Sequence, residues 1–163
     1  MILRDRMLCL FGAAMLAACN PTPPPSVPNS DTPLLSPTRT SIDIGDFVFH
    51  VNALTTDQLT AAIAAQYDIV RSQNRAMLNV SVLRHNPGGP DRAVNAQVNV
   101  SAANLAGQVK SVLMRPILEG DAIYYIGEVA ISSGETLIFT INVTPEGAAE
   151  SQTVRFMKQF FID

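Results

Sequence analysis

The chain predicts an all-β domain, an immunoglobulin-like antiparallel β-sandwich of about seven strands carrying one short helix. Two observations point there. From Ser41 onward, apolar residues recur at every second position in run after run, the period of a strand with one face in a core. Clusters of Gly, Pro, Asn and Asp that reverse a chain separate those runs. A small closed barrel satisfies the same two observations. The Cys, Trp, Cys hallmark of antibody domains is missing, since the chain has no tryptophan.

The alternation begins in "DFVFHVNAL", where Phe47, Phe49, Val51 and Ala53 stand against Val48, His50 and Asn52. In "LNVSVL", Leu78, Val80 and Val82 share a side. The clearest run is "AVNAQVNVSA", with Val94, Ala96, Val98 and Val100 opposed to Asn95, Gln97, Asn99 and Ser101. "QVKSVLMRPIL", "AIYYIGEVAI", "TLIFTINVT" and "QTVRFMKQFFI" complete the set. Turns fall at "NPGGPD" (86–91), "NLAG" (104–107), "EGD" (119–121), "SSGE" (132–135) and "PEG" (145–147).

One segment, "LTTDQLTAAIAAQYD" (54–68), breaks the pattern. Thr55 with Gln58 three residues on reads as a capping box, and Leu54 and Leu59 stand where a hydrophobic staple belongs. Leu59, Ile63 and Tyr67 recur at helical spacing, so a short helix lies across the sandwich between two strands. Strand parity supplies it with a surface. If Ile123, Tyr125, Val129 and Ile131 point inward, Tyr124 and Ile126 point outward, and Ile138, Met157 and Phe161 also fall outside the main core. Either the helix covers this apolar face or the face docks a protein.

Upstream of the strands the chain changes character. Arg4 and Arg6 precede the apolar stretch "MLCLFGAAMLAA" (7–18), the layout of a secretory signal and too short to span a bilayer, which takes about 20 apolar residues. Leu16, Ala17, Ala18 and Cys19 resemble the bacterial lipobox. That resemblance implies cleavage before Cys19, a diacylglyceryl thioether on its sulfur and acylation of the new amine. Cys9, the one other cysteine, lies in the segment to be removed, which leaves Cys19 no disulfide mate. Two or more acyl chains, at about 0.8 kcal/mol per buried methylene, hold a protein firmly to a membrane. Asn20 follows the cysteine, and by resemblance to enterobacterial sorting this favours the outer membrane.

The sequence therefore divides into a signal peptide (1–18), a lipidated cysteine with a linker (19–40) and a sandwich domain (41–163). Between Asn20 and Thr40 seven prolines stand with Leu34 and Leu35 as the main bulky apolar residues. Such a tract favours extended polyproline II and, at about 3.1 Å per residue, spans up to roughly 60 Å. It reads as a tether. Loss of residues 1–18 removes Arg4, Arg6 and Asp5, leaving the chain one unit more acidic than its formal net charge of −3. Nucleic acid is excluded as a partner by that balance, because backbone binding needs a basic face.

The chemistry-bearing residues are few. "RSQNR" places Arg71, Asn74 and Arg75 between the helix and the next strand, where two guanidinium forks can clamp a carboxylate or phosphate. The competing reading pairs Arg71 and Arg75 with Glu119 and Asp121 of the "EGD" turn, with Asn74 bonded to loop backbone. An enzyme would need Arg71, Arg75, Glu119, Asp121 and Tyr124 to converge in a pocket. His50 and His85 lack partners at metal-ligand spacing, and no G-x-S-x-G or phosphate loop occurs, so no metal, cofactor or catalytic residue is assigned.

"YDIVRSQNRAMLNVSVL" (67–83) and "EGDAIYYIGE" (119–128), with the "FVFHVNAL" opening and the "FFID" ending, resemble a bacterial exported family known as the domain of unknown function numbered 4426. The similarity covers Ile42 to Asp163. It implies a small envelope β-sandwich and no particular activity; most members are simply secreted, so the lipobox here is a departure. The sequence thus points to a lipid-anchored periplasmic module that binds or assists an envelope partner. The alternatives are a small envelope enzyme or a structural subunit.

Overall fold

The computed structural model describes residues 32–162. Cys19, the signal segment and the linker as far as residue 31 lie outside the described residues. Eleven strands form two facing sheets in a β-sandwich-like arrangement. They are β1 (Leu34–Leu35), β2 (Ser41–Ile44), β3 (Phe47–Thr55), β4 (Arg75–Arg84), β5 (Arg92–Ala93), β6 (Ala96–Asn104), β7 (Val109–Val112), β8 (Arg115–Glu119), β9 (Ala122–Ala130), β10 (Thr136–Pro145) and β11 (Gln152–Gln159). The first sheet runs β1-β11-β10-β6-β7. The second runs β2-β3-β4-β9-β8, with β5 pairing on β4. Two separate sheets replace the closed-barrel alternative.

The core lies where the alternation puts it. Phe49, Val51, Leu78, Val80 and Val82 of the second sheet are buried against Leu137, Phe139, Ile141, Val154 and Phe156 of the first. Phe139 and Phe156 face each other across the β10–β11 pair with ring centroids 6.2 Å apart. Val94, Ala96, Val98 and Val100 pack on the same core while Asn95, Gln97, Asn99 and Ser101 alternate with them. Burial of this apolar area is the driving term for a domain without a disulfide in its described residues.

The structure departs from the seven-strand expectation at the N-terminal end and in the middle. Leu34 and Leu35, read above as linker, pair in parallel with Arg155 and Phe156 of β11, and Leu35 is fully buried. The folded unit therefore reaches upstream of residue 41: two leucines in a proline tract are apolar enough to take a sheet edge. The run 108–118 is two strands in different sheets, β7 and β8, because the chain crosses from one sheet to the other at Leu113 and Met114. It crosses directly over Gly127 of β9. A Cβ there would lie 2.5 Å from Met114 Sδ, 2.7 Å from Val112 Cγ1 and 2.9 Å from the Leu113 carbonyl oxygen.

The helix also differs from its expected start. Thr55 ends β3 and makes no capping hydrogen bond; a 3-10 turn, Thr56–Gln58, follows it. The helix proper, α1, is Ala61–Gln66, capped by Thr60, whose Oγ1 accepts from the Ile63 N–H at 3.2 Å. Thr56 is the reason: fully buried, its Oγ1 accepts from Ser72 N–H at 2.9 Å and lies within donating distance of the Val70 carbonyl at 2.9 Å. These bonds hold the chain in the turn for three residues before a helix can begin.

Candidate functional site

The outward faces of β4, β9 and β8 form one surface because residues paired across an antiparallel ladder share a face. Asn79 pairs with Ile126, Ile117 with Tyr124, and Arg115 with Ile126. The α1 segment lies over this surface. Ala64, Ile69, Met77 and Ile126 form a second buried cluster, joined by Leu54, Leu59, Tyr67, Ile117 and Tyr124. The helix thus covers Tyr124 and Ile126, as one of the two sequence readings has it. Phe161 stays 67% exposed at the opposite terminus.

The cover is incomplete, and a cleft of about 150 Å³ remains between α1 and the sheet. Its floor is Met77 and Asn79 of β4, Tyr124 and Ile126 of β9 and Ile117 of β8. Leu59, Ile63, Tyr67 and Ile69 form the wall from the α1 side, and Glu119 stands at the end of β8. Three polar features interrupt the apolar lining. Asn79 Oδ1 is buried without a hydrogen-bond partner. The Tyr67 phenol is pushed above its usual range, first by hydrogen bonding to the Glu119 carboxylate, then by burial and by that carboxylate's charge. Tyr124 completes the group beside Tyr67 and Glu119.

The structure separates the remaining sequence-derived candidates from this cleft. Arg75 pairs with Ala130 and Glu119 with Ala122, the two ends of β9. At about 3.4 Å per residue those positions are roughly 27 Å apart. Arg75 Nη1 instead lies 3.4 Å from Glu128 Oε2, and Arg71 Nη2 donates to the Asp57 carbonyl at 2.7 Å. The expected pairing of the two arginines with Glu119 and Asp121 is therefore replaced by these contacts. Asn74 bonds through its backbone, donating to Ser72 Oγ at 3.1 Å and accepting from Ile131 N–H at 3.0 Å. Asp121 is exposed on the β8–β9 turn, and the five-residue convergence an enzyme would need does not form.

Elsewhere, His85 lies between Asp43 and Asp91, with ring nitrogens 3.4 and 3.3 Å from their carboxylates. Among the described residues no three His, Cys, Asp or Glu side chains gather where they could hold a metal ion. Of the cleft residues, sequence reasoning named Glu119 and Tyr124 as site candidates and passed over Met77, Asn79 and Ile117. Their signal was available: Met77 and Asn79 are the outward alternates of the buried run Leu78, Val80 and Val82. Tyr67 was assigned to a helix face and not to a site.

Residues 41–163 match the model of a protein family described as Domain of unknown function (DUF4426). The crystal structure of a DUF4426 family protein from Pseudomonas aeruginosa PAO1 is similar to the chain, with a TM-score of 0.64 and 34% sequence identity over 76% of this chain and 94% of that one. FetP of uropathogenic E. coli strain F11 is similar with a TM-score of 0.52 and 10% identity, over 74% of this chain and 92% of FetP. At that identity the likeness is one of fold. Comparison with curated proteins finds no match.

Proposed function

The chain belongs to the DUF4426 family, and from that premise we propose that it is a non-catalytic binding module of the bacterial cell envelope, held on the periplasmic side of a membrane by lipid on Cys19. The cleft under α1 carries the binding part of this reading. It is concave and apolar with a few convergent polar groups, the usual make-up of a small-ligand site. Arg75, which the five-residue enzyme site would need beside Glu119, stands at the opposite end of β9 from it. The lipobox-like residues 16–19 and the proline tract behind them support the anchor, and Asn20 supports the outer membrane as its address. The sandwich we read as immunoglobulin-like, because β4 and β6, and again β9 and β10, are successive long strands placed in opposite sheets.

Two measurements test the reading. Radiolabelled palmitate enters the chain and is lost in the Cys19→Ser variant; a chain that takes up no label has no lipid anchor. A neutral probe, benzyl alcohol, shifts the methyl resonances of Ile117 and Ile126 and leaves Ile42, on the far side of the sheet, unchanged. Benzyl alcohol shifts spread evenly over the isoleucines would remove the cleft as a site.

A further inference from the structure

We infer that the cleft selects a small organic cation, an ammonium group carried on one ring or on a short branched alkyl body. The inference rests on the proposed reading of the cleft as a binding site, and three features of its lining give it direction. The first is size. An open cleft of about 150 Å³ with a mostly apolar lining accommodates a body the size of benzene.

The second feature is charge. Glu119 is the one charged residue lining the cleft, and among the described residues it has no ion-pair partner. The nearby cation, Arg115, is turned to the Tyr67 carbonyl oxygen, to which its guanidinium donates. The third feature is aromatic. The rings of Tyr67 and Tyr124, which attract cations through their π-faces, border the same space. A carboxylate and two phenol rings complement an ammonium cation and repel an anion.

The experiment uses the full chain in a non-ionic detergent with isoleucine methyl groups labelled, titrated with benzylammonium, benzyl alcohol and benzoate. Benzylammonium is expected to bind about three- to tenfold tighter than benzyl alcohol, the scale of one exposed charge pair plus one cation–π contact, with benzoate the weakest. Glu119→Gln should erase most of the difference between the cation and the alcohol. Tyr124→Phe should keep the preference and Tyr124→Leu should reduce it. Equal affinities of benzylammonium and benzyl alcohol for the unaltered chain overturn the inference and leave the cleft as a neutral apolar site. If none of the three probes shifts Ile117 or Ile126, the proposed binding site falls with it.

Discussion

Lys110 Nζ lies 2.7 Å from both carboxylate oxygens of Glu135 and donates as well to the Ala130 carbonyl at 2.9 Å. One side chain thus ties the edge strand β7 of the first sheet to the end of β9 in the second and to the loop that leads into β10. Glu135 is the better buried partner, at 11% side-chain exposure against 24% for the lysine. It also accepts from Ser132 N–H and from Asn104 Nδ2.

Burial pushes the Glu135 carboxyl up, but hydrogen bonds from Lys110, Ser132 and Asn104, together with the Lys110 charge, outweigh it and hold its pKa below the usual 4.5. A carboxylate with a lowered folded pKa contributes stability that is complete above its unfolded value and lost as pH falls through the folded one. Glu135→Gln should therefore cost about 1–3 kcal/mol at pH 7. The loss should begin to shrink as pH falls below the unfolded carboxylate's value and vanish once the lowered folded-state pKa has been passed, where the parent surrenders the same contribution. Urea unfolding of both chains in a series descending from pH 7 into the acid range checks the convergence.

Gly127→Ala is expected to destabilise by about 1–3 kcal/mol, through overpacking at the crossing between sheets. The new methyl meets Met114 Sδ and Val112 Cγ1, and a flexible methionine can yield. The Leu113 carbonyl cannot. A Gly127→Ala, Met114→Ala double variant should for that reason recover only part of the loss in thermal melting. Full recovery would mean that side-chain crowding alone makes glycine necessary there.

Thr56→Val should cost about 1–3 kcal/mol, because a nearly isosteric change strips the partner from Ser72 N–H, and with it the donor that faces Val70, in a fully buried position. Thr60→Ala should cost about 0.5–2 kcal/mol as the loss of a helix cap. Thr55→Val should cost the least of the three, since the side chain of this buried threonine caps nothing. The ranking of the three in chemical denaturation distinguishes the observed helix start from the capping box that the sequence suggests.

These threonines also show where sequence reading stops. The period-two pattern located the buried faces of β3, β4, β6, β9, β10 and β11, because alternation is a local property that a core enforces directly. It could not see that "QVKSVLMRPIL" changes sheets, since the cause is a close approach to Gly127 some fourteen residues on. Thr56 outcompetes Thr55 through Val70 and Ser72, contacts about as distant in sequence. The cleft was half legible for the same reason: parity exposed Tyr124 and Ile126, whereas its depth depends on how far α1 stands from Met77 and Asn79. A long-range packing distance leaves no mark in composition.

Arg75 offers a test in which stability and recognition part company. Its guanidinium is 47% exposed and meets Glu128 at 3.4 Å, a surface pair of the kind worth less than about 1 kcal/mol. Arg75→Ala should therefore lower stability by under about 0.5 kcal/mol, since Arg75 sits at the very start of β4 and its backbone pairing with Ala130 is retained. Arg71→Ala breaks a 2.7 Å bond to the Asp57 carbonyl and should cost more, about 0.5–1.5 kcal/mol. If both changes also leave crosslinked partners in intact cells unaltered, the polar loop between α1 and β4 is scaffold for the cleft beside it. Capture lost in Arg75→Ala at unchanged melting temperature would instead make that loop a second contact surface, because a group that contributes so little to folding then matters only to what it touches outside the chain.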